Sequence, residues 1–406
     1  MGGSGEGRAL YALAPHCALK RLETPALYDI RADELYELDE EGWRFLASGQ
    51  PLAAAGGSPE TREFLDFCIA EGLLVPSSAQ AAASASLPDA PPLAPSLRYL
   101  LVHITDRCTL RCRHCFIGPQ TGRDLPLEAL LRIAGEFAAL QGLRFIVSGG
   151  EPLLHRHFWR LNERLPGYPF RSILLTNGTL LDREAARRLR FHEVQVSLDG
   201  PEEAHDLLRG RGSFRRAVDA LRNCAEAGVP VSAATVVFAG NIDRFDELEE
   251  ILREFPLRSW SVDVPCPAGA MTDNPALAPD PALAAALVGR SFGGGFYGSS
   301  GGWACGAHLA AVMADGSIDK CGYFTGLRSG HIRDGLAAAW VKIPRWRLDG
   351  LTCRCSHLPE CRGGCRFRAL SHGDLLGPDP VQCALRGVPT GGDGAKTCGS
   401  PREKNL

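Results

Sequence analysis

Three thiols stand close together in LVHITDRCTLRCRHCFIG, residues 101–118: Cys108, Cys112 and Cys115, spaced C-x3-C-x2-C directly after a short apolar run. Thiolates this near in sequence can converge on one metal centre, and a cubane iron–sulfur cluster offers one more iron than three cysteines can ligate. The remaining iron is then free to bind and activate another molecule. A structural zinc knuckle, or simply buried thiols, is the alternative reading of the same residues.

A second cysteine system begins past residue 300. Cys305 and Cys321 stand in C-x10-G-x4-C around Gly316, and Cys353, Cys355, Cys361 and Cys365 follow as C-x1-C-x5-C-x3-C, with Cys383 after a further seventeen residues. Seven such cysteines exceed a single zinc site, although a zinc ribbon is the alternative. Nine of the chain's fifteen cysteines lie beyond residue 260, so they are clustered rather than dispersed. The start, MGGSGEGRAL, lacks the apolar core of a signal peptide. Clustered cysteines without an export signal favour metal ligation in a reducing compartment, and the expected location is cytoplasmic. Cys68 and Cys224 fall on apolar helix faces and read as core thiols, while Cys17 and Cys398 fit none of these patterns.

The elements that must position this chemistry are legible from periodicity. From Tyr99 onward, apolar strands at Tyr99–Ile104, Leu143–Ser148, Ser172–Thr176, Glu193–Ser197, Val231–Val237 and Ser259–Val264 alternate with amphipathic helices. Those helices fall at Leu127–Leu140, His155–Arg164, Asp182–Arg190, Phe214–Ala227 and Phe245–Phe255. Such alternation predicts an α/β fold, a parallel sheet wrapped by helices, with its chemistry at the carboxyl ends of the strands. The polar motifs fall at those ends: Ser148-Gly149-Gly150-Glu151-Pro152, Asn177-Gly178 and Ser197-Leu198-Asp199-Gly200, with Arg209 shortly after. Paired glycines let the backbone approach a ligand closely, and the Glu151 carboxylate beside them can accept from an ammonium group.

Residues 8–76 read as a separate small module. Strands at Ala18–Arg21, Ala26–Asp29 and Glu34–Leu38 precede a helix capped by Asp39. A second helix, capped by Ser58 with Pro59 at its first position, follows, and Leu73-Leu74-Val75 is expected to close the sheet as a wing. Residues 77–96, rich in Ala, Ser and Pro, read as a linker. The chain has 406 residues, enough for two or three domains, and a formal charge of −3. That balance gives no broad footprint for nucleic acid or an anionic membrane, and no stretch approaches a membrane span.

Taken together, C-x3-C-x2-C, the GGEP segment and VSLDGP with Arg209 resemble the radical S-adenosylmethionine (SAM) enzymes. That resemblance implies a partial (β/α)6 barrel over residues 97–270 and a [4Fe–4S] cluster on Cys108, Cys112 and Cys115 with SAM on its open iron. It further implies SAM contacts from Gly149, Gly150, Glu151, Asn177, Ser197 and Arg209. Residues 300–385 resemble the SPASM domain, named for maturases of subtilosin, pyrroloquinoline quinone, anaerobic sulfatases and mycofactocin, which carries two auxiliary [4Fe–4S] clusters. Carried over, one cluster uses Cys305, Cys321 and Cys365, its fourth position open to substrate or filled by Cys266 or His308. The other uses Cys353, Cys355, Cys361 and Cys383. The family has C-x2-C where this chain has Cys353-Arg354-Cys355, which leaves one of that pair in question. Gly322 stands where sulfatase-maturing members place an Asp, which argues against that activity and leaves Asp315, Asp319 and Asp374 as unranked bases. Residues 8–76 resemble the winged-helix peptide-recognition domain typified by the pyrroloquinoline-quinone chaperone; a structural cap or a DNA-binding winged helix are the alternatives.

The function implied is reductive cleavage of SAM to a 5′-deoxyadenosyl radical, followed by oxidative modification of a ribosomally made precursor peptide through a thioether or carbon–carbon cross-link. The partners implied are that peptide, its leader held by the N-terminal module, and a donor such as flavodoxin or ferredoxin, with no nucleic acid or membrane. A non-peptide substrate such as a tetrapyrrole, or a silent peptide-binding scaffold, are the competing readings. On the peptide reading, removing residues 1–76 is expected to spare SAM cleavage.

Overall fold

The computed structural model describes residues 10–48, 52–53, 59–77, 93–293 and 302–389. Ser58, Cys398 and most of the predicted linker lie outside these residues. The chain opens with β1 (Leu10–Leu13), β2 (Cys17–Arg21), β3 (Pro25–Asp29), β4 (Glu34–Glu37), α1 (Glu40–Ala47), β5 (Leu52–Ala53), α2 (Pro59–Ala70) and β6 (Leu74–Ser77). Asp39 caps α1 as its sequence predicts, accepting from the Gly42 amide at 2.7 Å. The last strand does not join the first sheet. It pairs with β1 through Leu13↔Leu74, so that β5-β1-β6 forms a second small sheet beside β2-β3-β4. Neither β1 nor β5 was legible in the sequence, because each is short and borrows its order from its partner.

Alternation gives β2-β3-β4 two apolar faces. Leu19 and Leu27 pack with Trp43, Leu46, Leu65 and Cys68 of the two helices. Tyr28, with Ala18 beside it, packs instead against Leu143 at the foot of the larger unit.

That unit is built from six parallel strands: β7 (Tyr99–Thr105), β8 (Arg144–Gly149), β9 (Arg171–Thr176), β10 (Glu193–Ser197), β11 (Val231–Val236) and β12 (Leu257–Asp263). Between them run α3 (Leu127–Ala139), α4 (Phe158–Arg164), α5 (Arg183–Arg188), α6 (Glu202–Arg209), α7 (Ser213–Glu226) and α8 (Phe245–Leu252). Leu100, Val102, Phe145, Val147, Leu174, Val194 and Val196 face the helices in one continuous core. The alternate residues, among them Leu101, His103, Ser148, Leu175, Gln195 and Ser197, face the opposite side of the sheet. Helix α6 was missed because its apolar face is only Ala204 and Leu208.

The sheet does not stop at residue 270. After α9 (Pro281–Val288), β13 (Leu309–Val312) pairs parallel with β7, and β14 (Ser317–Asp319) and β15 (Gly330–His331) continue antiparallel to make nine strands in all. Short helices α10 (Leu336–Lys342), α11 (Leu358–Cys361), α12 (Arg366–Ser371) and α13 (Pro380–Leu385) complete the described chain.

The small module is keyed into the amino-terminal ends of the parallel strands. Lys20, 1% exposed, donates to the carbonyls of Gly142 at 2.8 Å and Pro169 at 2.5 Å, and burial pushes its pKa down to about 7. Arg171, fully buried, donates to the Ile30 and Arg31 carbonyls at 2.9 Å each, and lies 3.4 Å from Asp33 and 2.7 Å from Glu193. Arg144 meets Asp33 at 3.0 Å, and Arg98 meets Glu23 at 2.7 Å. The module is therefore no detachable appendage, since its removal would strand three half-paired arginines at the foot of the sheet.

Candidate active site

At the opposite, carboxyl ends of the strands a cavity of about 720 Å³ opens. Cys108, Cys112 and Cys115, on the loop that leaves β7, all line it, together with Asn177, Ser197 and Arg209. Two donors aim at the first sulfur: the Leu110 amide lies 3.4 Å and the Asn177 Nδ2 3.5 Å from Cys108 Sγ. Such N–H···S contacts stabilise a ligating thiolate. Burial pushes the Cys112 thiol up to about 11, with the Arg209 guanidinium acting against it. Among the described residues no three of these cysteine sulfurs lie within 4.8 Å of one another.

The glycine pair serves a different neighbour from the one its sequence suggests. A Cβ on Gly149, whose φ is +134°, would meet the Thr105 carbonyl oxygen at 2.3 Å, and one on Gly150 would meet that of Arg107 at 2.2 Å. The close approach is to the backbone leading into the cysteine loop, which Gly150 and Glu151 bond through their amides at 2.9 and 2.7 Å. Gly149 and Gly150 still line the cavity, so their backbone remains available there. The Glu151 side chain does not line it. Fully buried, it accepts from Thr176 Oγ1 at 2.9 Å and from the Asn177 amide at 3.0 Å, and burial raises its pKa to about 7. Its carboxylate fixes the end of β9 instead of facing a ligand.

Arg209 does face the cavity but is already paired: its Nε bonds the fully buried Asp199, whose other oxygen accepts from the Val236 amide at 2.8 Å. His114, between two of the cysteines, also lines the cavity, and burial lowers its pKa to about 4. Neither partner was evident from sequence, since both depend on contacts between elements. Of the three aspartates singled out as bases, none lines the cavity. Asp315 bonds the Ser317 turn, Asp374 bonds the Leu376 amide, and Asp319 is buried on β14. The lining carboxylates are Asp106, committed to the Thr121 and Arg123 amides, and Asp273, exposed on the loop after β12.

The C-terminal segment reaches this cavity through Tyr323, two residues past Cys321. Its ring lies 4.8 Å from Phe116, which directly follows Cys115, and 5.5 Å from Phe367, two residues past Cys365. A Cβ side chain on Gly322 would run into Phe116, whose Cε2 lies 2.9 Å from the added carbon. Burial pushes the Cys305 thiol up to about 12, with Cys365 and Cys321 adding to the shift, and burial likewise raises that of Cys321. Cys353 and Cys383 are buried, and Cys355 and Cys361 half-buried; Cys353 and Cys355 precede α11, Cys361 ends it, and Cys383 lies in α13. His308 is bound through Nδ1 to the Ser96 carbonyl at 2.7 Å. No helix of the described residues is long and apolar enough to cross a membrane.

Comparison with known proteins gives concordant results. Residues 102–255 match the radical SAM superfamily profile. The mycofactocin maturase MftC of Mycobacterium ulcerans is 30% identical over 326 residues, covering 70% of this chain and 88% of that protein. The Fe-coproporphyrin III synthase of Methanosarcina barkeri is 31% identical, but over 159 residues, 37% of this chain and 40% of that one. Among solved structures, Streptococcus suis SuiB bound to S-adenosylmethionine aligns with TM-score 0.66 at 17% identity, over 92% of this chain and 99% of SuiB. SuiB bound to its precursor peptide SuiA aligns with TM-score 0.63 at 16% identity, over 92% of this chain and 99% of that one.

Proposed function

Because this chain belongs to the radical SAM superfamily and is an enzyme of its peptide-maturase type, we propose that it makes an oxidative cross-link, thioether or carbon–carbon, in a ribosomally synthesised precursor peptide. The observation that carries this is the trio Cys108, Cys112 and Cys115 on the rim of one cavity, with polar groups from four strand ends converging beside it. Bound on that trio, a [4Fe–4S] cluster would supply the electron that splits SAM into methionine and a 5′-deoxyadenosyl radical. The chain's own groups would do the rest. Gly149 and Gly150 would offer backbone to the SAM amino group, Asn177 and Ser197 would hold its polar edges, and Arg209, kept in place by Asp199, would meet its carboxylate. Walls formed by the strands' inward side chains and the Tyr323–Phe116 pair would keep water from the radical. Asp273 at the mouth is the carboxylate best placed to take a proton.

We assign residues 8–76 to leader recognition and 300–385 to a SPASM domain with two auxiliary clusters, on the ligand sets given above. The leader would add to the edge of β4, which among the described residues pairs on one side only, with β3. A groove of about 390 Å³ runs beside that edge, lined by Glu37, Asp39, Glu41 and Glu60 and floored by Phe45 and Phe64. Its chemistry favours an extended, basic leader. A DNA role for this module is disfavoured by that acidic lining. The tetrapyrrole reading rests on relatives that match 37–45% of the chain, against 70% for the peptide maturase.

The test is anaerobic incubation of reconstituted enzyme with SAM, a reductant and a candidate precursor encoded beside it. Loss of two hydrogens from the peptide and formation of 5′-deoxyadenosine are expected. Replacing Cys108, Cys112 and Cys115 by Ala should abolish deoxyadenosine; its persistence would remove the proposed site.

A further inference from the structure

Resting on the auxiliary-cluster reading, we infer that Cys266 is the fourth protein ligand of the cluster held by Cys305, Cys321 and Cys365, which closes that cluster to substrate. Cys266 follows β12 by three residues and is 2% exposed. The Cys365 thiol beside it, together with burial, raises its pKa. An ion pair ties their two segments together: Arg368, three residues past Cys365, meets Asp263, three residues before Cys266, at 2.6 Å. Arg368 also bonds the fully buried Asp379, which accepts from the Cys365 amide at 2.6 Å. The two cysteines are thus clamped from both sides by one arginine.

The other side of Cys266 is tied to the cavity. Its loop continues to Gly269, where a Cβ would meet the Cys115 carbonyl oxygen at 2.3 Å, and to Ala270, whose amide donates to the same oxygen at 2.8 Å. Cys266 itself lines the cavity with Cys112 and Cys115. The competing candidate, His308, has Arg98, Glu23 and Arg362 among its charged neighbours, and its Nδ1 is committed to Ser96. Of the other cysteines outside the ligand sets, among the described residues, Cys17 and Cys68 lie in the N-terminal module and Cys224 in the helix-facing core. On ligation Cys266 loses its thiol proton to solvent and its sulfur bonds to iron. A cluster with four protein thiolates has no iron left for a peptide thiol.

The test separates this cluster from the one that binds SAM. In a Cys108→Ala/Cys112→Ala/Cys115→Ala background, reconstituted anaerobically, iron is counted and the sample is oxidised mildly with ferricyanide. A cubane with four cysteine ligands resists loss of iron, whereas one with three loses its unligated iron and yields the [3Fe–4S] signal in electron paramagnetic resonance. Little or no such signal is expected in the background, and about one spin per chain once Cys266→Ala is added. A full signal without Cys266→Ala, or none with it, would overturn the inference. Iron well below two cubanes per chain in the background would instead overturn the auxiliary-cluster reading itself. Cys224→Ala, a core thiol, is the control and should leave the spin count unchanged.

Discussion

At the scale of single residues, several motif positions do other work than their sequence context suggests. Gly149 and Gly150 are needed for the strand ends to interlock with the cysteine loop. Adding a methyl group at Gly150, 2.2 Å from the Arg107 carbonyl oxygen, should therefore cost about 3 kcal/mol in urea denaturation of the apoprotein, with the cysteine loop displaced. Glu151 carries a pH signature. Burial raises its pKa from 4.5 to about 7 in the folded chain, so its contribution is fully present below about 4.5 and declines as pH rises through about 7, because the ionised form is penalised only when folded. Glu151→Gln should flatten this dependence. Wild-type apoprotein should lose on the order of 3 kcal/mol relative to the variant between pH 4.5 and 7.5, and parallel stability curves for the two would refute the assignment.

At the scale of elements, the decisive feature is how the small module seats on the sheet. Asp33 adopts a positive φ of 66°, a conformation that Asp tolerates better than most residues, and thereby presents its carboxylate to both Arg144 and Arg171. Asp33→Ala should cost about 3–5 kcal/mol, because it leaves buried guanidinium charge under-compensated. Thermal unfolding of the apoprotein would read this as a lowered midpoint shared by both units. For the same reason, deleting residues 1–76 is a poor probe of leader binding. Loss of SAM cleavage in that truncation would report a damaged sheet, whereas point changes on the exposed groove keep the seat intact. The cysteine spacing and the β–α alternation were legible because both are local patterns, one of ligands and one of period. The seat was not, since Lys20, Asp33 and Arg171 are ordinary charged residues until the chain folds them together.

At the scale of the whole molecule, the module and the cavity lie at opposite ends of the parallel strands. Strands of five to seven residues separate those ends by roughly 17–23 Å. A leader seated on β4 would have to run along the outside of the sheet before its modified residue enters the cavity. Shortening the spacer between leader and modified site to fewer than about six residues, too few to span that distance even when extended, should abolish modification while leaving SAM cleavage unchanged. Reversing charge in the groove with Glu37→Lys and Glu41→Lys should weaken precursor modification at least tenfold at low salt, with deoxyadenosine formation unaffected. Unchanged modification in this double variant would remove the leader assignment.

What the sequence determined by itself was the chemistry and the layer order. Three thiols at C-x3-C-x2-C, polar residues past apolar strands and a second cysteine array are all short-range patterns whose meaning survives without coordinates. Only the tertiary structure decided which groups face the cavity and which brace it. Glu151 turned inward to β9, Arg209 met Asp199, and Gly322 packed against Phe116. Asp263 and Arg368, about a hundred residues apart, tied the segment of Cys266 to that of Cys365. Those outcomes depend on side chains from distant segments competing for the same buried space, and no local pattern encodes which contact wins.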